Sequence, residues 1–292
     1  MFKPWFGFLV LFSLAFGLAA IGCQRHRNLE TDGGIRLIYR ADPGKLTALQ
    51  KQNLPRLLRT EVAEVLGNRA MGPLKVDHPK IFVNGSNQVV VELPGLTDID
   101  AAKRTIGSNA RIGFYWAKTV RTARRNWEPY SPIFSQVDDP GVSFEDNVSH
   151  DTIKAPDPAH PNPLNDQRYA QMIKGWDLIL SGGDIGFAQP MVGGTSGSSY
   201  IPALRFTPEG ADKMAAWCRH HQNEGAQLAC VFDGRVLSVA GLMNNTVLSG
   251  NAVIEGSFSA KFVMNLCAMI NDGSLPVDLV LVRAEKFPSH AP

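Results

Sequence analysis

The stretch NQVVVELPGLTDIDAAKRTIG, from Asn87 to Gly107, decides the fold. Its first part alternates, with Val89, Val91 and Leu93 on one side of the chain, and this period of two predicts a β-strand. Pro94-Gly95 then ends the strand, because proline and glycine interrupt regular structure and favour turns. The first half of the stretch therefore predicts a strand with one buried face.

The second half predicts a short helix. Thr97 is predicted to be its N-cap, with Asp98 and Asp100 in the first turn, where the helix dipole favours carboxylates. Gly107 ends the helix. The apolar residues have helical spacing and form one stripe, which we expect to be buried: Ile99, Ala102 and Ile106.

Similar elements flank this stretch on both sides. Residues 35–40 alternate as a strand, and a helix follows with its last apolar residues just before Gly67. A four-residue loop, Asn84–Asn87, joins strand 81–83 to the strand described above. Residues 111–117 form another predicted strand. The order strand, helix, hairpin, helix, strand predicts an α+β fold with helices packed on an antiparallel sheet.

From residue 119 to residue 177 the periodicity disappears. Seven prolines fall in this part of the chain: Pro129, Pro132, Pro140, Pro156, Pro158, Pro161 and Pro163. A stretch of this length without periodicity is typical of a functional loop or of partial disorder. We therefore expect residues 119–177 to be an irregular, proline-rich insertion.

Regular structure returns from residue 178. Thr207-Pro208-Glu209 combines a cap, a first-turn proline and an acidic residue, and it predicts a helix start. Asp233-Gly234 lies between two apolar strands and is the strongest hairpin signal in the chain. Ser259 is predicted to cap a buried helix, and Val277–Val282 is the last predicted strand.

The N-terminus is predicted to carry a targeting signal. The chain has 292 residues, 44% of them hydrophobic, and a net charge of +2, so its charge gives no indication of a nucleic-acid partner. After Lys3, the run Trp5–Gly22 has no charged residue and ends at Cys23. Residues 1–23 resemble a bacterial lipoprotein signal, in which Cys23 is the lipidated residue, and the alternative is an uncleaved membrane anchor. Both interpretations place the later residues outside the cytoplasmic membrane, tethered to a bilayer.

The sequence contains no convincing catalytic or cofactor-binding pattern. Cys218, His220, His221 and Cys230 do not have the spacing of a zinc site, and a structural role is favoured for them. Residues 193–197 include a serine among glycines, but they lack the spacing of a nucleophile elbow. We therefore expect no catalytic residue, no metal and no cofactor, and we do not expect an enzyme.

Several segments together resemble the first periplasmic domain of the SecD/SecDF protein translocase subunit family. They occur in the family order and cover most of the chain except the insertion. The segments are Asp32-Gly33-Gly34, Gln88–Gly95 with the following helix, Gly183-Asp184-Ile185, Arg205–Ala211, Phe232–Ser238, Ile254–Ser259 and Gly273–Pro276. Two places depart from the family pattern: Val239-Ala240 stands where Ala-Pro is usual, and Asn271-Asp272 stands where Arg-Ala is usual. These departures indicate divergence, and we expect the binding surface of the head to differ from that of the family.

The resemblance implies both an architecture and a role. A ferredoxin-like base would comprise residues 30–118 and 257–286, and a smaller α+β head would comprise residues 178–256. The implied partners are Sec translocon subunits and unfolded exported polypeptide, with no proton-conducting part in this chain. The alternatives are an envelope lipoprotein that acts as a scaffold or chaperone, and a hydrolase with the insertion as a lid, which no site supports.

Overall fold

A four-stranded antiparallel sheet, here called the base sheet, forms one end of the molecule. The computed structural model describes residues 28–122, 127–134, 141–157, 159–193 and 199–289. The strand order of the base sheet is β14-β1-β3-β2. Its strands are β1 (Gly34–Asp42), β2 (Lys80–Asn84), β3 (Gln88–Pro94) and β14 (Asp278–Phe287).

Helices cover one face of the base sheet and complete a ferredoxin-like βαββαβ order. They are α1 (Leu29–Asp32), α2 (Ala48–Gln52), α3 (Leu54–Leu57), a π-helical turn (Leu58–Val62), α4 (Ala63–Met71) and α5 (Ile99–Ile106). Because β14 supplies the last strand, residues 107–277 are inserted between α5 and that strand. The predicted α+β class and the hairpin at Asn84–Asn87 are confirmed.

Two local predictions in the base were wrong. Asp98, rather than Thr97, caps α5, since its carboxylate accepts from the N–H groups of Asp100 and Ala101 at 3.1 and 2.9 Å. Helix α4 does not end at Gly67 but continues to Met71. The low helix propensity of Gly67 is outweighed by packing, because Leu66 and Ala70 on the buried face of α4 are both fully buried.

The central sheet has the order β12-β11-β4-β8. Its strands are β4 (Ile112–Trp116), β8 (Asp177–Leu180), β11 (Gln227–Phe232) and β12 (Arg235–Gly241). We predicted that residues 111–117 would belong to the base, but Phe114 of β4 lies between Cys230 of β11 and Leu180 of β8. The chain thus leaves the base sheet before residue 112, earlier than the expected boundary at 118.

The head sheet, of order β13-β10-β9, packs beside the central sheet. Its strands are β9 (Ile185–Gly193), β10 (Ser199–Phe206) and β13 (Asn251–Val253), and α7 (Pro208–His220) and α8 (Ala260–Asp272) pack with them. Helix α8 was expected in the base, but its buried residues share a core with both of these sheets, including Val263, Leu266, Cys267 and Met269.

The part of the insertion that the structure describes is not irregular, which corrects the expectation for residues 119–177. It contains a side sheet of β5 (Tyr130–Ile133), β6 (Ser143–Asp146) and β7 (Thr152–Ile153), followed by α6 (Pro163–Lys174). The prolines are compatible with this order: Pro132 lies on an edge strand and Pro163 in the first turn of α6. Tyr169 of α6 is fully buried, and its hydroxyl donates to the Val142 carbonyl at 2.7 Å and accepts from the Val236 N–H at 3.1 Å.

The predicted signal and its lipidation site, Cys23, lie outside the described residues. Among the residues that are described, no helix is both long enough and apolar enough to cross a bilayer.

Candidate functional site

The first candidate surface is the face of the head sheet that points away from α8. Side chains alternate along each strand, so Ala188 and Leu204 face the core and are buried, whereas their neighbours face outward. Phe187 is 45% exposed and Met191 40% exposed. With the third strand these residues line a depression of about 270 Å³, here called the trough: Phe187, Gln189, Met191, Ala203, Arg205, Asn251 and Val253.

The shape of the trough follows from the register of the three strands. Ala203 of β10 lies between Gln189 of β9 and Val253 of β13, so a small side chain occupies the centre of the face. Larger side chains stand around it, and Val253 is itself 44% exposed. An open, mainly apolar depression of this kind can bury apolar side chains of a ligand, and its polar rim can hydrogen-bond to the ligand backbone.

The second candidate is a cleft of about 540 Å³ at the junction between the base and the inserted part. Its walls come from α5, from the tip of the β11–β12 hairpin, from the insertion and from α8. Ionic side chains on these walls include Arg104, Asp157, Asp233 and Lys261, while Leu237, Phe262 and Met269 supply apolar surface. The volume lies within the range of small-molecule sites, and parts of the chain that are distant in sequence meet there.

Asp233, at the tip of the hairpin, binds the segment by which the chain leaves the base, Ser108–Arg111. Its carboxylate accepts from the Ser108 hydroxyl at 2.5 Å, from the Arg111 N–H at 2.9 Å and from the Ala110 N–H at 3.2 Å. Its own N–H donates to the Arg111 carbonyl at 2.9 Å. Asp233 has φ 49° and Gly234 has φ 77°, which a tight hairpin turn requires. The predicted hairpin is confirmed, and it also forms a contact that its sequence signal did not indicate.

Arg69 of α4 connects the two places where the chain crosses the junction. It is 0% exposed. Its guanidinium donates to the carbonyl of Ser108 in the first crossing and to that of Gly273 in the second, the latter at 3.3 Å. Burial lowers the pKa of Arg69 to about 10, although the nearby carboxylates of Asp233 and Asp272 oppose the shift. Arg69 therefore stays cationic at neutral pH. Sequence reasoning missed it because α4 was expected to end at Gly67.

The insertion contacts both sides of the junction cleft. On one side, the Arg235 guanidinium donates to the Pro156 carbonyl at 2.9 Å. On the other, Asp157 lies 3.9 Å from Arg104 of α5 and accepts from His160 at 2.9 Å. Burial by itself would raise the pKa of Asp157. The hydrogen bonds from His160 and from the Ala159 N–H, together with the charge of Arg104, outweigh the effect of burial, so the pKa lies below its ordinary value.

The Gly183-Asp184-Ile185 segment has a structural role. The Asp184 carboxylate accepts from the Ser181 N–H and hydroxyl at 2.8 and 2.9 Å and from the Lys213 ammonium at 2.6 Å, which joins the end of β8 to α7. Burial alone would raise the pKa of Asp184, but the bonds from Lys213 and Ser181 outweigh it and lower the pKa. A β-carbon on Gly210 would overlap the Asp184 carbonyl oxygen, which explains the glycine in the segment Arg205–Ala211.

The rejected zinc candidates do not form a site. Cys218 and Cys230 are buried free thiols in one apolar core. His221 lies against Trp116, with ring centroids 4.2 Å apart, and its Nδ1 is 2.8 Å from the Glu224 carboxylate. Within the described ranges, three or more possible metal ligands do not come together anywhere. Most of the glycine-rich segment 193–197 lies outside those ranges.

Two family models match this chain in the order expected. The model described as the N-terminal part of the P1 domain of protein translocase subunit SecDF matches residues 60–119, and the model for the SecDF P1 head subdomain matches residues 160–277. The chain belongs to the SecD/SecDF family, and the part that matches is its P1 domain. The side sheet lies between the two matched ranges.

Individual relatives and solved structures agree with this assignment. SecDF of Thermus thermophilus is 30% identical over 253 residues, covering 86% of this chain and 30% of the relative. SecD of Magnetococcus marinus is 27% identical over 237 residues, covering 80% of this chain and 40% of the relative. This chain thus spans less than half the length of either.

Solved structures of SecDF share the fold. A crystal structure of SecDF in a super-membrane-facing form superposes with a TM-score of 0.56 at 24% identity, covering 88% of this chain and 31% of that one. A second structure, of SecDF described as a membrane component that enhances protein export, gives a TM-score of 0.52 at 24% identity, covering 85% of this chain and 98% of that one.

Proposed function

We propose that this chain is an extracytoplasmic module of protein export that binds extended, unfolded polypeptide in the trough of the head sheet. The observation that carries the proposal is the open apolar face formed by Phe187, Met191 and Val253, each of which is at least 40% exposed. Large apolar side chains grouped on one exposed face are typical of a binding surface. Membership of the SecD/SecDF family supports export as the setting in which that surface acts.

The geometry of the trough suits a ligand of variable sequence. A shallow apolar face around Ala203 excludes few side chains, and recognition then depends on buried apolar area rather than on a particular residue type. Exported chains differ in sequence and share mainly their unfolded backbone and their exposed apolar residues. An export module needs this tolerance, and a deep polar pocket would not provide it.

The proposal includes a tether and a partner. Cys23 with an attached lipid, or the run Trp5–Gly22 as an anchor, would hold the module at the outer face of the membrane. Sec translocon subunits are the proposed partners, because this position would place the trough near a chain that emerges from the translocon.

The test is site-specific photo-crosslinking of the intact protein in cells. A photoreactive residue at position 191 in the trough is expected to crosslink to a stalled exported chain. The matched control carries the same residue at Val148, in a turn of the side sheet that is 83% exposed and far from the trough in sequence. Equal crosslinking from both positions, or none from position 191, would contradict binding in the trough.

A paired substitution measures the strength of the contact. Phe187→Ser with Met191→Ser should remove about 1.5 kcal/mol of apolar burial at each position, which corresponds to about a 100-fold loss of affinity for an unfolded probe chain. Leu164→Ser, on an exposed position of α6, is the control and should change affinity less than twofold.

The alternative function is an envelope chaperone or scaffold that works without the translocon. The trough supports this alternative as well as it supports the export module, since the same surface would bind unfolded chains from any source. A crosslinked pull-down from native membranes separates the two functions. Recovery of translocon subunits supports the export module, whereas recovery of unfolded envelope proteins without them supports the chaperone.

A further inference from the structure

Strand β9 forms one edge of the head sheet, and its outer backbone groups can be identified from the register. Ala188 lies opposite Leu204, and Pro190 lies opposite Pro202. The Pro202 carbonyl accepts from the Ile254 N–H at 2.9 Å on the far side of β10. The backbone N–H and C=O groups of an antiparallel strand point alternately to its two sides. The backbone groups that point away from β10, toward the open edge, are therefore those of Ala188, Pro190 and Val192.

One side chain occupies this edge at its centre. The Asn271 side chain accepts from the Ala188 N–H at 2.8 Å through Oδ1 and donates to the Ala188 carbonyl at 2.8 Å through Nδ2. A neighbouring strand would make the same pair of hydrogen bonds with a residue of its own backbone. The amide group of Asn271 therefore takes the place of a further strand at Ala188, and Pro190, the next outward residue, has no N–H to offer.

We propose that Asn271 closes the β9 edge against strand addition, and that an extended polypeptide is the ligand that adds to this edge when Asn271 withdraws. The inference rests on the proposed function, because it assumes that unfolded chains reach the head sheet. The ligand class follows from the hydrogen bonds, since a group that replaces the Asn271 amide must supply both an acceptor and a donor at the spacing of a peptide backbone.

The position of Asn271 makes withdrawal possible without unfolding the head. It lies in the last turn of α8, which ends at Asp272 and is followed by Gly273 with φ 85°. Helix ends fray more readily than helix centres. The segment that follows Gly273 leads into β14 of the base sheet. A movement of the base relative to the inserted part would therefore pull on the last turn of α8, which carries Asn271.

The first test measures backbone amide exchange in the full chain and needs no ligand. In Asn271→Ala the exchange of the Ala188 amide should be at least tenfold faster than in the wild type. Asn265→Ala, on the same helix but facing the junction cleft, is the matched control and should leave that rate unchanged. Asn271→Asp is the second variant, because a carboxylate still accepts from the Ala188 N–H but cannot donate to its carbonyl. An unchanged Ala188 rate in folded Asn271→Ala would overturn the proposal.

The second test adds a fluorescent twelve-residue peptide of alternating valine and threonine. Asn271→Ala is expected to bind it at least fivefold more tightly than the wild type, with the Val192 amide protected from exchange in that complex. Equal affinities with no protection at Val192 would overturn edge addition and leave the trough proposal standing. Binding by Asn271→Ala alone would support edge addition and contradict the trough. If Asn271→Ala forms a dimer in a concentration-dependent way, the ligand of the β9 edge is a second copy of the chain. That result would overturn the proposal that the ligand is an extended polypeptide.

Discussion

Replacing Asp233 tests how strongly the hairpin tip holds the segment by which the chain leaves the base, Ser108–Arg111. Asp233→Ala removes a carboxylate that accepts three hydrogen bonds from the crossing at Ser108–Arg111. It also places alanine at φ 49°, a backbone conformation that aspartate and asparagine tolerate better. Asp233→Asn keeps the turn and one acceptor oxygen but removes the charge. Comparing the two variants separates the contact from the turn.

The expected loss can be worked out contact by contact. Hydrogen bonds to a charged group contribute about 1.5 to 3 kcal/mol each, and the lower value applies because Asp233 is half-buried. The Ala110 N–H keeps the Ser108 hydroxyl as a partner at 3.0 Å, so two contacts are lost outright. Two contacts at about 1.5 kcal/mol and about 1 kcal/mol for alanine at positive φ give about 4 kcal/mol for Asp233→Ala. Asp233→Asn should cost about 1.5 kcal/mol.

Urea unfolding gives the free energies, and two probes show whether the transition is single. Tryptophan fluorescence and far-UV circular dichroism should be followed on the same samples, since coincident curves justify a two-state analysis. Ser86→Ala, at the exposed tip of the β2–β3 hairpin, is the control and should change the free energy of unfolding by less than about 0.5 kcal/mol. A loss below about 1.5 kcal/mol for Asp233→Ala, or equal losses for both variants, would refute the reasoning.

Two further substitutions test other parts of the structure. Tyr169→Phe removes both buried hydrogen bonds of the hydroxyl and should lower the free energy of unfolding, measured in urea, by about 2 to 3 kcal/mol. A loss under about 0.5 kcal/mol would mean that these two hydrogen bonds do not hold α6 against the neighbouring strands. The pKa of Asp184 is lowered from its ordinary value of 3.8, so its stabilising contribution is present above that value and is lost as the pH falls below it. The stability difference between the wild type and Asp184→Asn should therefore shrink between pH 6 and pH 3, and a constant difference in thermal melts over that range would contradict the assignment.

Local sequence patterns were enough to predict the elements whose signals are contained within a few residues. The alternation at Val89, Val91 and Leu93, the stripe of α5 and the Asp233-Gly234 turn depend on neighbours along the chain, and the structure has them as predicted. The order of the base elements then implied an α+β fold, because strand, helix and hairpin patterns leave few ways to bury their apolar faces.

Strand partners were beyond the reach of the same patterns. A period of two shows which face of β4 is buried but not which strand lies beside it, and its partners at Cys230 and Leu180 come much later in the chain. The strands of the side sheet are too short, at two to four residues, to show a period at all. Their order depends on contacts with α6 that no local window contains.

The functional polar residues were missed for a related reason. Arg69 and Asn271 act on backbone groups that are distant in sequence, and neither belongs to a recognisable motif. One weak signal existed for Asn271, since Asn271-Asp272 departs from the family pattern. A departure indicates that a position has changed, but only the geometry at Ala188 shows what the new side chain does.

The contacts of Arg69 and Asn271 lead to a prediction about how the junction and the β9 edge are linked. Arg69 donates to the Gly273 carbonyl, two residues after Asn271. The apolar residues beside Arg69 on α4, Leu66 and Ala70, belong to a different core from Ala188 of β9. If Arg69 holds the end of α8 in place, Arg69→Met should loosen the last turn and speed exchange of the Ala188 amide severalfold, without any direct contact between the two residues. Arg56→Met, at an exposed position of α3, is the matched control and should have no effect on that amide. Faster amide exchange throughout the base with an unchanged Ala188 rate would show that the junction and the β9 edge are independent. In that case the loss of Arg69 would have weakened the base core, while the last turn of α8 stayed folded and Asn271 stayed bound to Ala188.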